Sequence, residues 1–316
     1  MQIIFSRSGK RNHPSALEAY FKSKNLLNLI GGEACTVFEN IDPMPTRSFL
    51  KGPRQVGRRV LIRTEPHVVS PESYKANRLS DFDLIISMGT FDEVRREVFY
   101  WPQVFEVNVP KVLEHWQERQ DSAVIVASDK LSFVSGELYS LRREAIFDIP
   151  NIDLFGYKWD RPFRKKLLLM FVEISIALRS SIPISLKAAR YFLRRPTNYR
   201  GQVESKRGTI SSYKYCLVIE NATTYVSEKL FDALFAGCIP IYVGPDLKAF
   251  GFPSGLVIEV DPTLAGLTEG LETAKKVDVL AWDKLRLDFL QDPQTLQKWQ
   301  SENVYQDVLS RIQKAL

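Results

Sequence analysis

Short apolar runs alternate along this chain with longer stretches in which apolar residues recur every three or four positions. The runs predict strands at 3–5, 35–38, 59–63 and 83–87, and a second set at 123–128, 152–155, 215–219, 239–243 and 256–260. The helical spacing predicts helices over 15–27, 136–147, 228–236, 263–275, 279–290 and 294–315. Strands alternating with helices imply an α/β chain. The stretch from Val107 to Ser122 fits neither period and reads as the crossover between two halves. Ligands of such folds sit at the carboxyl ends of the strands.

Composition changes this picture little. The 316 residues are 45% apolar and 25% charged, as in ordinary globular proteins. Cys35, Cys216 and Cys238 form no CxxC pair and read as buried thiols in a reducing compartment. The start "MQIIFSRSGKRNHP" has no long apolar segment, so a cytosolic location is expected. No apolar run reaches the ~18 residues of a membrane span.

Charge changes it more. Residues 161–200 hold ten Arg or Lys and one acid, Glu173, which makes +9 of a net +6 and leaves −3 for the remainder. "FRKKLLLMFVEISIAL" and "SLKAARYFLRRP" each join an apolar face to clustered cations, with "SSIP" as a break. The expectation is a basic helical pair touching a membrane surface. A buried interdomain helix, a dimer contact and a nucleic-acid surface are the competing readings, but no aromatic-plus-basic platform supports the last.

The stretch "YKYCLVIENATTYVSEKLFDALFAGCIPIYVGPD", Tyr213 to Asp246, carries the chemistry. A buried strand (215–219) leads through a polar loop to a helix with Ser227 as N-cap and Gly237 as stop, then to a second strand (239–243). Lys229 sits in the first helical turn, where the helix dipole disfavours a cation by a few tenths of a kcal/mol. An anion at that helix start would reverse the penalty, and a diphosphate suits free N–H groups there. Glu220, Asn221, Tyr225 and Glu228 surround the same spot. A solvated Glu–Lys surface pair is the plain alternative.

This stretch resembles the signature of the α-1,3/1,4-fucosyltransferases, glycosyltransferase family ten. "YKY", "EN", "YVSEK", "DA" and "IPIYVG" occur in the family's order. The resemblance implies a GT-B-like fold, two Rossmann-like domains facing across a cleft. The expected boundaries are 1–115 for the acceptor half, 116–290 for the donor half with the 161–200 insert, and 291–316 for a C-terminal helix. It also implies inverting transfer of L-fucose from GDP-fucose to a glycan hydroxyl, with no metal or further cofactor and with an acceptor that is often lipid-linked.

Asn221, Tyr225, Glu228 and Lys229 are donor-binding residues by this resemblance. "VASDKLSFVSGELYSLRREAIFDI" is similar to the segment that supplies a phosphate-binding arginine, which falls on Arg143 with Arg142 as runner-up. The family's usual Asn is replaced there by Asp129 or Lys130. "IDLFGYKWD" places Gly156 near the cleft, and "VESKRGTISSYKY" offers Lys206 as a donor contact. "RRVLIRTEPHVVSP" resembles the strand that ends in the general base, here Glu65. His67, Asp92 and Glu93 are further cleft candidates.

Other motifs weigh less. "DFD" at 81–83 spells a DxD metal grip but precedes its strand rather than following it. His13, His67 and His115 are too scattered for a zinc site. An exostosin-like transferase shares the "GCIP" turn but lacks the "EN" and "YVSEK" set. A non-catalytic relative would be expected to lose Glu65 or Lys229, and both are present.

Overall fold

The computed structural model describes residues 2–6, 15–28, 34–40, 57–88, 96–106, 109–179 and 183–315. The first half contains β1 (Ile3–Ser6), α1 (Ala16–Ser23), β2 (Cys35–Glu39), β3 (Arg58–Arg63), α2 (Ala76–Leu79), β4 (Leu84–Met88) and β5 (Arg96–Phe99). Its five strands run parallel in the order β1-β2-β3-β4-β5. Val37, Val60 and Leu84 stand side by side across three strands. β-branched residues suit a sheet covered on both faces. Phe38, Leu61, Phe82 and Ile85 pack on the opposite face.

The second half contains β6 (Gln120–Val126), α3 (Tyr139–Asp148), β7 (Ile152–Phe155), α4 (Phe163–Arg179), β8 (Tyr199–Gly201), α5 (Lys206–Ile210), β9 (Tyr213–Ile219), α6 (Glu228–Phe235), β10 (Ile239–Val243), β11 (Ile258–Glu259) and α7 (Leu264–Ala274). Its order is β11-β10-β9-β6-β7-β8, again parallel. Read from β8, this is the doubly wound order 3-2-1-4-5-6. Connections leave β6 and β9 toward opposite edges, so a crevice opens between their carboxyl ends.

Three helices close the chain: α8 (Val279–Gln291), α9 (Pro293–Trp299) and α10 (Ser301–Ala315). The helix expected over 294–315 is broken at Gln300. Gln103 from the first half inserts its backbone there, with Gln103 N donating to Trp299 O at 2.7 Å and Ser301 N donating to Gln103 O at 2.8 Å. The C-terminal helix then crosses to the first half. Val304, Val308, Leu309 and Ile312 of α10 share a core with Ile3, Val37, Val60 and Ile86.

Two strands escape the sequence pattern. "REVF" (β5) and "YRG" (β8) are edge strands, and an edge strand needs no two-sided apolar run. The pair of helices expected in 161–200 is a single helix, α4. The second segment forms only a short 3-10 turn at Leu186–Ala189. Tyr191 interrupts it with a left-handed φ of 63°, and beyond it Lys166 Nζ donates to Phe192 O at 3.0 Å and Arg194 O at 3.1 Å. A non-glycine residue in the left-handed region ends a helix rather than continuing it.

Cys35, Cys216 and Cys238 are free and buried. In "DFD", Asp83 accepts from Arg59 N at 2.8 Å and so joins strand starts at the end of the sheet away from the cleft. Among the described residues, no helix is long and apolar enough to cross a membrane.

Candidate active site

A cavity opens at the carboxyl ends of β6, β7 and β9, at the reversal of strand order. Four cations line it, Lys130, Arg142, Lys206 and Lys229, against two carboxylates, Glu65 and Glu228. The excess of two positive charges suits an anionic ligand. Asn221, Tyr225 and Gly156 also line it.

The 213–246 stretch folds as its pattern predicts. β9 and β10 pair in parallel, and Ser227 caps α6 by accepting from Lys229 N. The misplaced cation already has a counter-ion within the protein. Glu220 is fully buried. Its carboxylate accepts from Ser227 N at 2.8 Å, Ser227 Oγ at 2.7 Å and Lys229 Nζ at 3.0 Å. Lys229 Nζ also donates to Ser227 Oγ at 2.9 Å. An ammonium has three donors, and two are thus engaged. In place of the alternative, a solvated Glu–Lys surface pair, there are two separate partnerships. Glu228 Oε1 instead accepts from Lys206 Nζ at 3.3 Å, and the same Nζ lies 3.6 Å from Asp232.

Electrostatics favour the ionised forms of Glu228 and Lys206. Burial alone would raise the Glu228 pKa, but Lys229 and Lys206 outweigh it and hold it below the ordinary value. Burial alone would lower the Lys206 pKa, but Glu228 and Asp232 raise it. Tyr225 is pushed well above the usual tyrosine value, chiefly by burial. Its hydroxyl accepts from Asn221 Nδ2 at 2.7 Å.

The two arginines of α3 face different ways. Arg142 lines the cavity and its Nη2 donates to Ile219 O at 2.6 Å, Glu220 O at 3.1 Å and Asn221 Oδ1 at 3.3 Å. Arg143, the sequence's first choice, lies in the interior, 1% exposed and away from the cavity lining. Its Nη2 pairs with Asp129 Oδ1 at 2.9 Å and also donates to Lys130 O. Its guanidinium stacks 4.7 Å from the Phe192 ring. Successive helical positions point about 100° apart, so a register error of one residue exchanges cavity for core.

Asp129 also lies 3.1 Å from Lys166 of α4. This buried Arg143–Asp129–Lys166 cluster fixes the loop that presents Lys130 to the cavity. Among the described residues, the Lys130 ammonium has no hydrogen-bond or ion-pair partner. Desolvation lowers its pKa, against the pull of Glu65 and with help from Lys229 and Arg142. The sequence signalled Lys130 only as a departure from the family pattern. Trp101 and Tyr157, which also line the cavity, carried no such signal.

Glu65 follows β3 and faces this group from the first half. Its backbone N–H donates to Asn40 Oδ1 at 3.2 Å, and Tyr74 OH donates to its carbonyl at 2.9 Å. Arg63 is directed elsewhere, with Nε donating to Ser73 O at 2.8 Å and its guanidinium 4.2 Å from the Tyr74 ring. His67 is not part of the cavity lining. Its Nε2 lies 3.0 Å from Ser135 O, at the seam between the halves. Asp92 and Glu93 lie outside the described residues. Gly156 has φ 136°, and a Cβ there would come within 1.9 Å of Ala127 O. Only glycine lets β7 end this close to β6.

The fold has solved counterparts. An α1,3-fucosyltransferase with GDP matches 99% of this chain and 89% of its own length at 16% identity, TM-score 0.51. Anabaena HepE with UDP and glucose matches 99% and 100% at 11% identity, TM-score 0.52. Sucrose-phosphate synthase of Thermosynechococcus elongatus matches 95% and 76% at 12% identity, TM-score 0.54. The chain has the GT-B fold. No family model and no curated protein sequence matches it. The fold similarity does not choose the nucleotide, because the counterparts with GDP and UDP superpose equally well. In the GT-B frame, the cavity lies where the two halves meet, with Glu65 from one and the four cations from the other.

Proposed function

We propose that the chain is an inverting glycosyltransferase of the α-1,3/1,4-fucosyltransferase type, moving L-fucose from GDP-fucose to a glycan hydroxyl. The observation that carries this reading is the convergence of Lys130, Arg142, Lys206 and Lys229 at the strand-order reversal, opposite Glu65. The nucleotide assignment rests on the 213–246 signature.

In this mechanism Glu65 takes the proton of the acceptor hydroxyl as that oxygen bonds to the sugar's anomeric carbon. The bond from that carbon to the diphosphate breaks on the opposite face, and the electron pair leaves with GDP. Lys229, Arg142, Lys206 and Lys130 meet the charge that develops on the diphosphate. Arg142 takes the role expected of Arg143. Glu228 accepts from sugar or ribose hydroxyls, while Asn221 and Tyr225 shape the wall beside it. No further cofactor enters this scheme. A cytoplasmic enzyme acting on a lipid-linked glycan belongs to the same reading.

The test is a thermal-shift series with GDP, UDP and GMP, followed by hydrolysis and transfer assays over a panel of GDP- and UDP-sugars. Stabilisation by GDP above UDP and GMP, with turnover of GDP-fucose, is expected. Preference for UDP makes the chain an exostosin-like transferase. Response to no nucleotide makes it a non-catalytic relative.

A further inference from the structure

Helix α4 exposes a broad apolar face. Phe163, Leu167, Leu168, Phe171, Val172 and Leu178 are all at least 36% exposed, and Leu168, Phe171 and Leu178 exceed 60%. Of the eleven large hydrophobics exposed among the described residues, eight lie between Phe163 and Leu186. An apolar patch this concentrated marks an interaction surface. Scattered single exposures would need no explanation.

The charges on α4 are sorted as well. Arg164, Lys165 and Arg179 are exposed with the apolar residues. The one acid, Glu173, lies seven positions after Lys166 and four before Ala177, and both of those are buried. Residues at such spacing share a helix face, so Glu173 belongs to the inward side. The outward side therefore combines apolar side chains with cations alone. At 17 residues, α4 is about 25 Å long and carries too much charge to span a bilayer. A helix of this kind lies in the plane of an interface, with its apolar side chains among the acyl chains and its cations at the headgroups.

We propose that the outer face of α4 docks on the surface of an anionic phospholipid bilayer. Charge complementarity selects this occupant, because a second copy of α4 would bring like-charged cations together. The helix is tied to the cavity wall by the buried Lys166–Asp129 pair, one residue from Lys130. Docking would thus hold the cavity beside the membrane. Only that placement rests on the transferase reading; the surface itself does not.

The experiment is flotation of the full chain with phosphatidylcholine vesicles, with and without phosphatidylglycerol, alongside GDP thermal shift on the same preparation. Binding to the anionic vesicles alone, weakened by salt, is expected. Leu168→Glu with Phe171→Glu should abolish it, and Arg164→Glu with Lys165→Glu should weaken it at least tenfold. The GDP response should stay unchanged in both. Equal binding to the two vesicle types, binding to neither, or a dimer in solution that the apolar double variant dissociates would overturn the proposal. A missing GDP response in a vesicle-binding protein would count against the transferase reading only.

Discussion

The two halves meet at one cavity but contribute to it unequally. The second half reverses its strand order between β6 and β9, and that reversal opens a crevice at their carboxyl ends. The first half runs β1 to β5 in sequence order, with no reversal among its described strands. It offers the cavity Glu65 and Trp101, while the second half offers all four cations. Topology thus builds a ready anion site in one half and leaves the other to supply single residues from strand ends. In the proposed enzyme this is the division between donor binding and acceptor activation.

The sharpest way to break that division is Glu65→Gln. It removes basicity and keeps shape, so turnover of GDP-fucose should fall roughly 10²–10⁴-fold while GDP affinity stays near normal. Single-turnover kinetics and calorimetry read the two separately. Normal turnover would move the base to another residue, with Asp92 and Glu93 next.

Lys229→Ala probes the donor side and should act twice. It removes the proposed phosphate contact, so GDP affinity should drop about tenfold or more. It also leaves Glu220 buried without its cation, costing about 3 kcal/mol of stability by denaturant titration. Adding Glu220→Gln should recover most of the stability but none of the GDP affinity. Recovery of both would mean that Lys229 serves only the fold.

Glu173 separates the inner face of α4 from its outer face. Burial raises its carboxyl from 4.5 to about 7. The folded state therefore holds a proton between those values that the unfolded chain releases. The group costs nothing below pH 4.5, and its penalty grows as pH rises to about 7, where it levels off near 3 kcal/mol. Glu173→Gln should accordingly stabilise the protein at pH 8 and leave stability unchanged near pH 4. A melting-temperature series from pH 4 to 8 checks this. A constant difference across that range would refute it.

The smallest effects rank the cations themselves. Arg142→Lys should weaken GDP binding by about tenfold, because the fork geometry is lost. Lys130→Met should weaken it several-fold and leave GMP less affected. Equal losses for GDP and GMP would place Lys130 away from the second phosphate.

What could be read in advance follows physical range. The 213–246 unit was legible because its strand, cap and helix are set by residues within one turn of each other. The counter-ion of Lys229 was harder. Glu220 was visible nine positions away, but pairing it with Lys229 needs the loop to fold back on itself. Arg142 and Arg143 are neighbours with equal chemistry, and only the packing of α3 against β9 and the loop after β6 decides which meets the cavity.

The sequence by itself determined the α/β alternation, the strand–loop–helix–strand unit at 213–246 and the basic character of 161–200. All three depend on local periodicity and composition. Tertiary structure decided what depends on distant partners. Tyr191 turns left-handed where a second helix was expected, and the buried Lys166 holds the carbonyls of Phe192 and Arg194 just beyond it. Gln103 breaks the last helix at Gln300, and α10 then completes the core of the first half. A buried cation or an inserted backbone changes a segment's hydrogen-bond partners, and local preference cannot anticipate a partner some 26 or 200 positions away.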